Sequence, residues 1–390
     1  MMSFGVMTDV KLLEYKGKEL LEGYGIPVQK GVVVGSAQDV PGAIKDLKAP
    51  YVLKVQIMAG GRGKAGGIKF ADNGEDAQKI CSKMLGMVIK NIVVKKVLIA
   101  QKVDVLDEWY LSVILDRQNK CPMVIFSPLG GVDIEETAKT CPDKIIKTSI
   151  NPLLGIKDYT ARYIFKKYNL DNAYFEQFLA IFKNLYRLFS DYDATLLEIN
   201  PLAITDGSRL LAIDCKADID DSSLFRHADI LEFRNSLDEN ELVVSARKFN
   251  FLYIPIDAGG DIAVASNGSG ILMSCIDLIT KTGAKVGAAL DLGGGATSER
   301  IAEAVKIIFR NQKTKYLFIS IFGGITRCDE VAAGVKLAFQ SGLSDKTIVI
   351  RLEGTNKAAA LEILASIGGS VITAESISDG VKKLKTRRND

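Results

Sequence analysis

Between residues 52 and 67 the chain reads VLKVQIMAGGRGKAGG. Apolar residues suited to a strand, with Lys54 among them, run into a glycine loop that carries Arg62 and Lys64. A loop so poor in side chains lets backbone N–H groups come close to a ligand, and glycine tolerates positive φ. Successive N–H donors beside a guanidinium and an ammonium form a concavity for phosphate oxygens. The loop is not a Walker A motif, because that pattern needs Ser or Thr after the lysine and Ala65 stands there. Taken alone, the loop reads equally well as a mobile hairpin.

A second set of polar residues falls in LLEINP and IDCK, which hold Glu198, Asn200 and Asp214. Side chains alternate along a strand, so Glu198 and Asn200 share one face and Asp214 opposes them from the next strand. A carboxylate and an amide oxygen converging in this way suit Mg²⁺, which keeps waters and nucleotide phosphates in its other positions. The competing reading is a solvated polar face on an otherwise apolar hairpin. Three further turns are glycine-rich: NGSG from Asn267, GGGAT from Gly293 and FGGIT from Phe322. Each follows a short apolar run. In open parallel sheets, ligands bind beyond the carboxyl ends of the strands, where such loops meet helix N-termini.

The elements that must carry these residues differ between the two ends of the chain. Residues 11–22 have helical apolar spacing, with Gly25 and Pro27 as stop signals. A strand at 32–34 is followed by Ser36 and Asp39, which resemble a capping box. Strands are expected at 51–55, 97–101, 110–115 and 123–126, helices at 159–168 and 173–189. The strands at 195–199 and 210–215 pair as an antiparallel hairpin through Pro201 and the Asp206-Gly207 turn. That irregular order predicts α+β structure. After about residue 240, strands at 262–266, 285–290, 316–321, 347–352 and 370–372 alternate with helical segments such as 298–310 and 329–338. This alternation predicts a parallel sheet covered on both faces.

Composition narrows the function classes. A chain of 390 residues, 47% hydrophobic and 25% charged, is globular and long enough for two or three domains. A net charge of +3 gives no broad field for nucleic acid or membrane, so small molecules or another protein are the expected partners. The six cysteines are scattered without CxxC spacing, and the single histidine, His227, cannot complete a familiar zinc site with them. Reduced thiols in a cytosol-like compartment are expected. The start, MMSFGVMTDVKLLEY, shows no signal peptide, and Arg62 as the first arginine argues against a transit peptide. A mature organelle form would look the same. The apolar region 262–279 is interrupted by SNGSG and Asp277 and predicts no membrane span.

Taken in order, AGGRGKAGG, LLEINPL, SNGSG, LDLGGGAT, IFGGITRCD and RLEG resemble the β subunit of succinyl-CoA synthetase (succinate–CoA ligase) along nearly the whole chain. The resemblance implies an amino-terminal ATP-grasp domain over 10–242 and a flavodoxin-like, doubly wound ligase domain over 243–390. It implies that Lys54, Gly61, Arg62 and Gly63 bind phosphates, that the stretch from Ala100 to Val103 with Glu108 holds purine and ribose, and that Asn200 and Asp214 ligate Mg²⁺. By the same resemblance Glu198 lies near the transferred phosphoryl group, and Asn267, Gly324, Ile325 and Thr326 position the carboxylic acid.

ATP/ADP or GTP/GDP would be the nucleotide, with an α subunit as partner in αβ or α₂β₂ form, in the cytoplasm or an organelle matrix. That α subunit would carry the phosphorylated histidine, leaving His227 as a surface residue. The chain departs from the family at Ala100, where many relatives have glutamate, at Gln29, which points to some use of GTP, and at Met58 and Ser127 to Gly131. At Thr326 valine is usual, and a hydroxyl there would suit malate or citrate in place of succinate. Two rival functions are a non-catalytic nucleotide-sensing subunit and an ATP-grasp enzyme acting alone.

Overall fold

The computed structural model describes residues 9–59, 61–63, 65–237, 239–343 and 345–389. The opening residues 1–8, where no signal peptide is expected, and Lys64 lie outside the described residues. The chain divides into two compact units, Met1–Ser236 and Leu237–Asp390. The division comes before the expected 242/243 because the helix Glu241–Arg247 belongs to the second unit's core. There Ala246 is buried, and Leu242 and Val243 pack beside it.

Among the described residues, the first unit holds a seven-stranded antiparallel sheet and a four-stranded one. The larger sheet runs Asp9–Lys11, Cys215–Asp220, Ala194–Thr205, Val105–Asp116, Cys121–Ser127 and Ile146–Ser149, with Leu210–Ala212 also paired to Ala194–Thr205. The helix Phe175–Asp191 covers it with Phe178, Phe182, Leu185 and Leu188, all fully buried. Trp109 meets Phe126, Phe165 and Phe178 edge to face. Burying each such large apolar side chain contributes about 2–3 kcal/mol, which fixes this sheet as a rigid platform.

The smaller sheet runs Gly31–Val34, Val97–Gln101, Tyr51–Val55 and Ile68–Ala71. Its central strand Tyr51–Val55 is buried along its whole length, so Lys54 enters a covered environment. The α+β expectation holds for this unit. Several expected elements change: the strands expected at 110–115 and 195–199 extend to Val105–Asp116 and Ala194–Thr205, the latter running through Pro201. The first helix is Glu14–Gly23, because Asp9–Lys11 pairs as an edge strand with Asp218–Asp220. The strand expected at 210–215 is broken at Ile213-Asp214 into Leu210–Ala212 and Cys215–Asp220.

The second unit is a six-stranded sheet in the order Leu252–Pro255, Val286–Asp291, Ile262–Ser266, Tyr316–Gly323, Thr347–Gly354 and Val371–Ala374. Its last five strands are parallel, and their order by sequence is that of a flavodoxin-like fold. Ala263, Ala265, Leu317, Ile319, Ile348 and Ile350 face one helical layer; Ile262, Val264, Phe318 and Val349 face the other. That alternation on both faces is why the strands read as unbroken apolar runs. Leu252–Pro255 is an antiparallel edge strand that sequence periodicity did not reveal.

Candidate functional site

In the first unit a cavity of about 380 Å³ is lined by Gly61, Arg62 and Gly63 of the glycine loop, and by Glu198, Asn200, Asp214 and Glu14. Glu14 stands in the first turn of the helix Glu14–Gly23, and its side chain is fully buried. Its Oε1 accepts from Lys54 Nζ at 2.8 Å and lies 3.4 Å from Lys18 Nζ. Its Oε2 stands 3.0 Å from Arg62 Nη1. Lys54 also donates to the Ile213 carbonyl at 2.9 Å. Burial alone would push the Glu14 carboxyl up, but Lys54, Lys18 and Arg62 outweigh it and hold it down at about 2. Burial, then the charge of Lys54, pushes Lys18 down to about 8.

Arg62 Nη2 donates to both oxygens of Asp214, to Oδ1 at 3.1 Å and to Oδ2 at 3.0 Å. The break between Leu210–Ala212 and Cys215–Asp220 frees Asp214 from the sheet ladder and turns it to the loop. Burial and then Glu14 push Asp214 up, against Arg62, Lys54 and Lys18. Its side chain is 32% exposed, with the Arg62 guanidinium against both oxygens. Lys54 does not line the cavity itself; it lies behind it, joined through Glu14.

Asn200 sits at a cis bond to Pro201, where the pairing of Ala194–Thr205 with Val105–Asp116 shifts register. The Gly131 N–H donates to its Oδ1 at 2.7 Å, and its Nδ2 donates to the Val132 carbonyl at 2.9 Å. Glu198 accepts from the Tyr110 hydroxyl at 2.9 Å. Burial raises the Glu198 carboxyl above its usual range, opposed by Tyr110 and Lys216. Among the described residues no three His, Cys, Asp or Glu side chains converge on a metal. The donor set here is one amide oxygen and one carboxylate on a common cavity, which fits a Mg²⁺ that takes its other ligands from phosphates and water.

The stretch from Ala100 to Val103 leaves the end of the inner strand Val97–Gln101 of the small sheet; Ala100 is fully buried and Val103 half-buried. Glu108 is half-buried in Val105–Asp116, and its carbonyl accepts from the Gly130 N–H at 2.7 Å. None of the three lines the cavity. Gln29 is buried, donates to the Gln101 carbonyl at 2.9 Å, and its Oε1 lies 3.4 Å from Lys18 Nζ.

In the second unit the expected residues gather at the carboxyl edge of the parallel sheet, where the strand order reverses. Asn267 follows Ile262–Ser266 and clamps the end of Tyr316–Gly323: its Nδ2 donates to the Phe322 carbonyl at 2.8 Å, and its Oδ1 accepts from the Phe322 N–H at 3.1 Å. Thr326 is buried; its hydroxyl accepts from the Gly295 N–H at 2.9 Å and donates to the Gly293 carbonyl at 3.4 Å. That hydroxyl therefore ties two glycine turns together and is not turned out toward a hydroxy acid. Gly324 faces open space, and Ile325 is 86% exposed. The helices Ser269–Thr280 and Cys328–Gln340 begin at this edge.

His227 is not a surface residue. Its ring stacks on Tyr192 with centroids 5.1 Å apart, and Nε2 lies 2.8 Å from Asp193 Oδ2. The aromatic and acidic neighbours outweigh the charged local sequence, and His227 does not line the cavity. Sequence reasoning missed Glu14, Lys18 and Tyr110. The spacing of Glu14 and Lys18, four apart on one helix face, was the available signal, but such pairs are common on exposed helices. Nothing local marks Tyr110 as the partner of Glu198.

Residues 11–204 match the ATP-grasp domain family, and residues 265–384 match the CoA-ligase family. Similar proteins include the ADP-forming succinate–CoA ligase subunit beta of Pyrobaculum aerophilum, 40% identical over 380 residues, which are 96% of this chain and 98% of that protein. The subunit of the same name from Desulfatibacillum aliphaticivorans is 40% identical over 383 residues, covering 96% and 99%. Among solved structures, ATP citrate lyase from Methanothrix soehngenii, in complex with citrate and coenzyme A, shares the fold. Its TM-score is 0.76 at 18% identity, covering 98% of this chain and 100% of that one.

Proposed function

The chain belongs to the family of succinate–CoA ligase β subunits, and from that membership we propose that it binds nucleotide and succinate in the reversible reaction ATP + succinate + CoA ⇌ ADP + phosphate + succinyl-CoA. The observation that carries this reading is the convergence of Arg62, Glu198, Asn200 and Asp214 on one cavity, in a chain similar to such subunits over 96% of its length.

In this reading the N–H groups of Gly61 and Gly63, with Arg62, cradle the phosphates while Lys54 adds its charge from behind the cavity wall, and charge-assisted donors are the strong ones for that task. Asn200 and Asp214 would hold a magnesium ion, which would supply charge neutralisation at the phosphate oxygens. Arg62 must exchange part of its hold on Asp214 for phosphate when nucleotide enters. Glu198, held by Tyr110, stands at the phosphoryl group in transfer. The stretch from Ala100 to Val103 and Glu108 hold the purine and ribose. The amide of Gln29 is already engaged with Gln101 and Lys18, which favours adenine over a direct contact to guanine. At the second unit's switch point, Asn267 fixes the strand ends while N–H groups at Gly324, Ile325 and Thr326 receive a succinate carboxylate.

Phosphoryl transfer through histidine requires a second chain. The only histidine here is held by Asp193 and Tyr192 away from the cavity, so an α subunit supplies the phosphorylated one, in αβ or α₂β₂ assembly. All six cysteines are free thiols, which supports a reducing compartment, cytosol or organelle matrix. Among the described residues no helix is long and apolar enough to cross a membrane. The test is thioester formation by the chain with its cognate α subunit, supplied in turn with succinate, malate and citrate. Succinate should give the highest kcat/KM; a preference for either hydroxy acid would overturn the substrate assignment.

A further inference from the structure

We infer that Glu14 is a positioning residue for phosphate recognition: one buried carboxylate that aims Lys54 with one oxygen and retains Arg62 with the other when the nucleotide is bound. The inference rests on the nucleotide-binding reading of the cavity.

Three observations carry it. The first is division of labour within the carboxylate. Oε1 holds Lys54 at 2.8 Å, and Lys54's second bond goes to the Ile213 carbonyl, so the ammonium is fixed behind the cavity wall with its charge directed at the site. Oε2 stands 3.0 Å from Arg62 Nη1, yet it has no hydrogen-bond partner of good geometry. Arg62 is drawn to Glu14 by charge while its aligned bonds go to Asp214. Were Asp214 to ligate a metal ion, Arg62 would lose that second anchor. Glu14 is then the carboxylate left to keep the guanidinium at the phosphates.

The second observation is rigidity. Glu14 lies at the start of its helix, where the backbone dipole favours an acid. Three residues on, Gly17 lets that helix press against the strand Cys215–Asp220. A Cβ at Gly17 would stand 2.8 Å from Cys215 Sγ. The carboxylate is therefore fixed by packing, as a group that sets the geometry of others must be.

The third is chemistry. Only a carboxylate can attract cations at both oxygens at once. A glutamine in its place turns an N–H₂ group toward either Lys54 or Arg62, which are themselves donors. A general structural role would predict a loosened fold with no bias toward phosphate number; a positioning role predicts a loss confined to the terminal phosphate.

The experiment compares ADP and AMP, each with Mg²⁺, binding to the full chain by calorimetry, with AMP measured by competition. Wild type is set beside Glu14→Gln and the double variant Glu14→Gln/Lys18→Met, which removes one cation with the anion and so preserves charge balance in the buried network if the single variant fails to fold. Losing a charge-assisted contact at the terminal phosphate should weaken ADP about tenfold or more while AMP changes by less than about twofold. The ratio of the two affinities should fall accordingly. Equal weakening of ADP and AMP, or no weakening, overturns the inference and leaves the nucleotide reading standing. A wild-type chain that binds neither nucleotide overturns both.

Discussion

Asp214 joins two roles that pull against each other. Its two oxygens hold Arg62 in the glycine loop, and its carboxylate is one of the two hard donors on the cavity. Asp214→Asn should therefore weaken binding of Mg²⁺-ADP by about tenfold, as expected for loss of one charged oxygen ligand, while ADP without Mg²⁺ binds no worse. Calorimetric titrations with and without the metal check this; equal losses in both would remove Asp214 from the metal site.

The engaged amide of Gln29 leads to a second expectation, that kcat/KM for ATP exceeds that for GTP in the complex with an α subunit. Parity between the nucleotides would contradict it.

Glu14 also has a stability consequence whose sign can be worked out. Its carboxyl lies at about 2 when folded, against 4.5 unperturbed, because three cations overcome the effect of burial. A group with a depressed folded pKa stabilises fully above the unfolded value and loses that contribution as pH falls through 4.5 toward 2. Urea midpoints taken at about pH 5 and about pH 3 should fall more for wild type than for Glu14→Gln/Lys18→Met.

At the scale of elements, much of the second unit was legible because each strand is a bounded apolar run followed by helical periodicity. Ile262–Ser266 and Ser298–Arg310 match their expected bounds. The edge strand Leu252–Pro255 was not legible, since four residues ending in proline carry no period to read. In the first unit the hairpin was readable from Asp206-Gly207, but Pro201, expected in its connection, lies inside the strand Ala194–Thr205, and the break at Ile213-Asp214 was not legible. That break is made by tertiary bonds: Lys54 on the Ile213 carbonyl and Arg62 on Asp214.

The same distinction separates the site residues. Arg62, Glu198, Asn200 and Asp214 stood out by residue type in recognisable motifs, whereas Glu14 acquires its place only when the helix Glu14–Gly23 packs against the sheet. Close packing of elements gives a further expectation in the second unit. A Cβ at Gly334, in Cys328–Gln340, would stand 2.6 Å from the Ser298 carbonyl oxygen at the start of the neighbouring helix. Gly334→Ala should cost about 1–3 kcal/mol through overpacking, read as a lowered midpoint in denaturant unfolding of the full chain; an unchanged midpoint would mean the helices separate freely.

The whole molecule brings together two folds with different tasks: an antiparallel unit that gathers cations and carboxylates on a cavity, and a parallel unit whose strand ends meet at a switch point. What it does not bring to the cavity is a histidine, since the chain's one imidazole is stacked on Tyr192 and bound to Asp193. The most direct measurement is incubation of the purified chain with ATP labelled in its terminal phosphate, alone and with a cognate α subunit, followed by assay for acid-labile phosphate on each polypeptide. The chain alone should bind nucleotide and remain unlabelled. With the α subunit, label should appear on that subunit and be discharged by succinate and CoA, equally with His227→Ala. Acid-labile phosphate on His227 of the isolated chain would contradict the reading of this protein as one half of a two-subunit ligase.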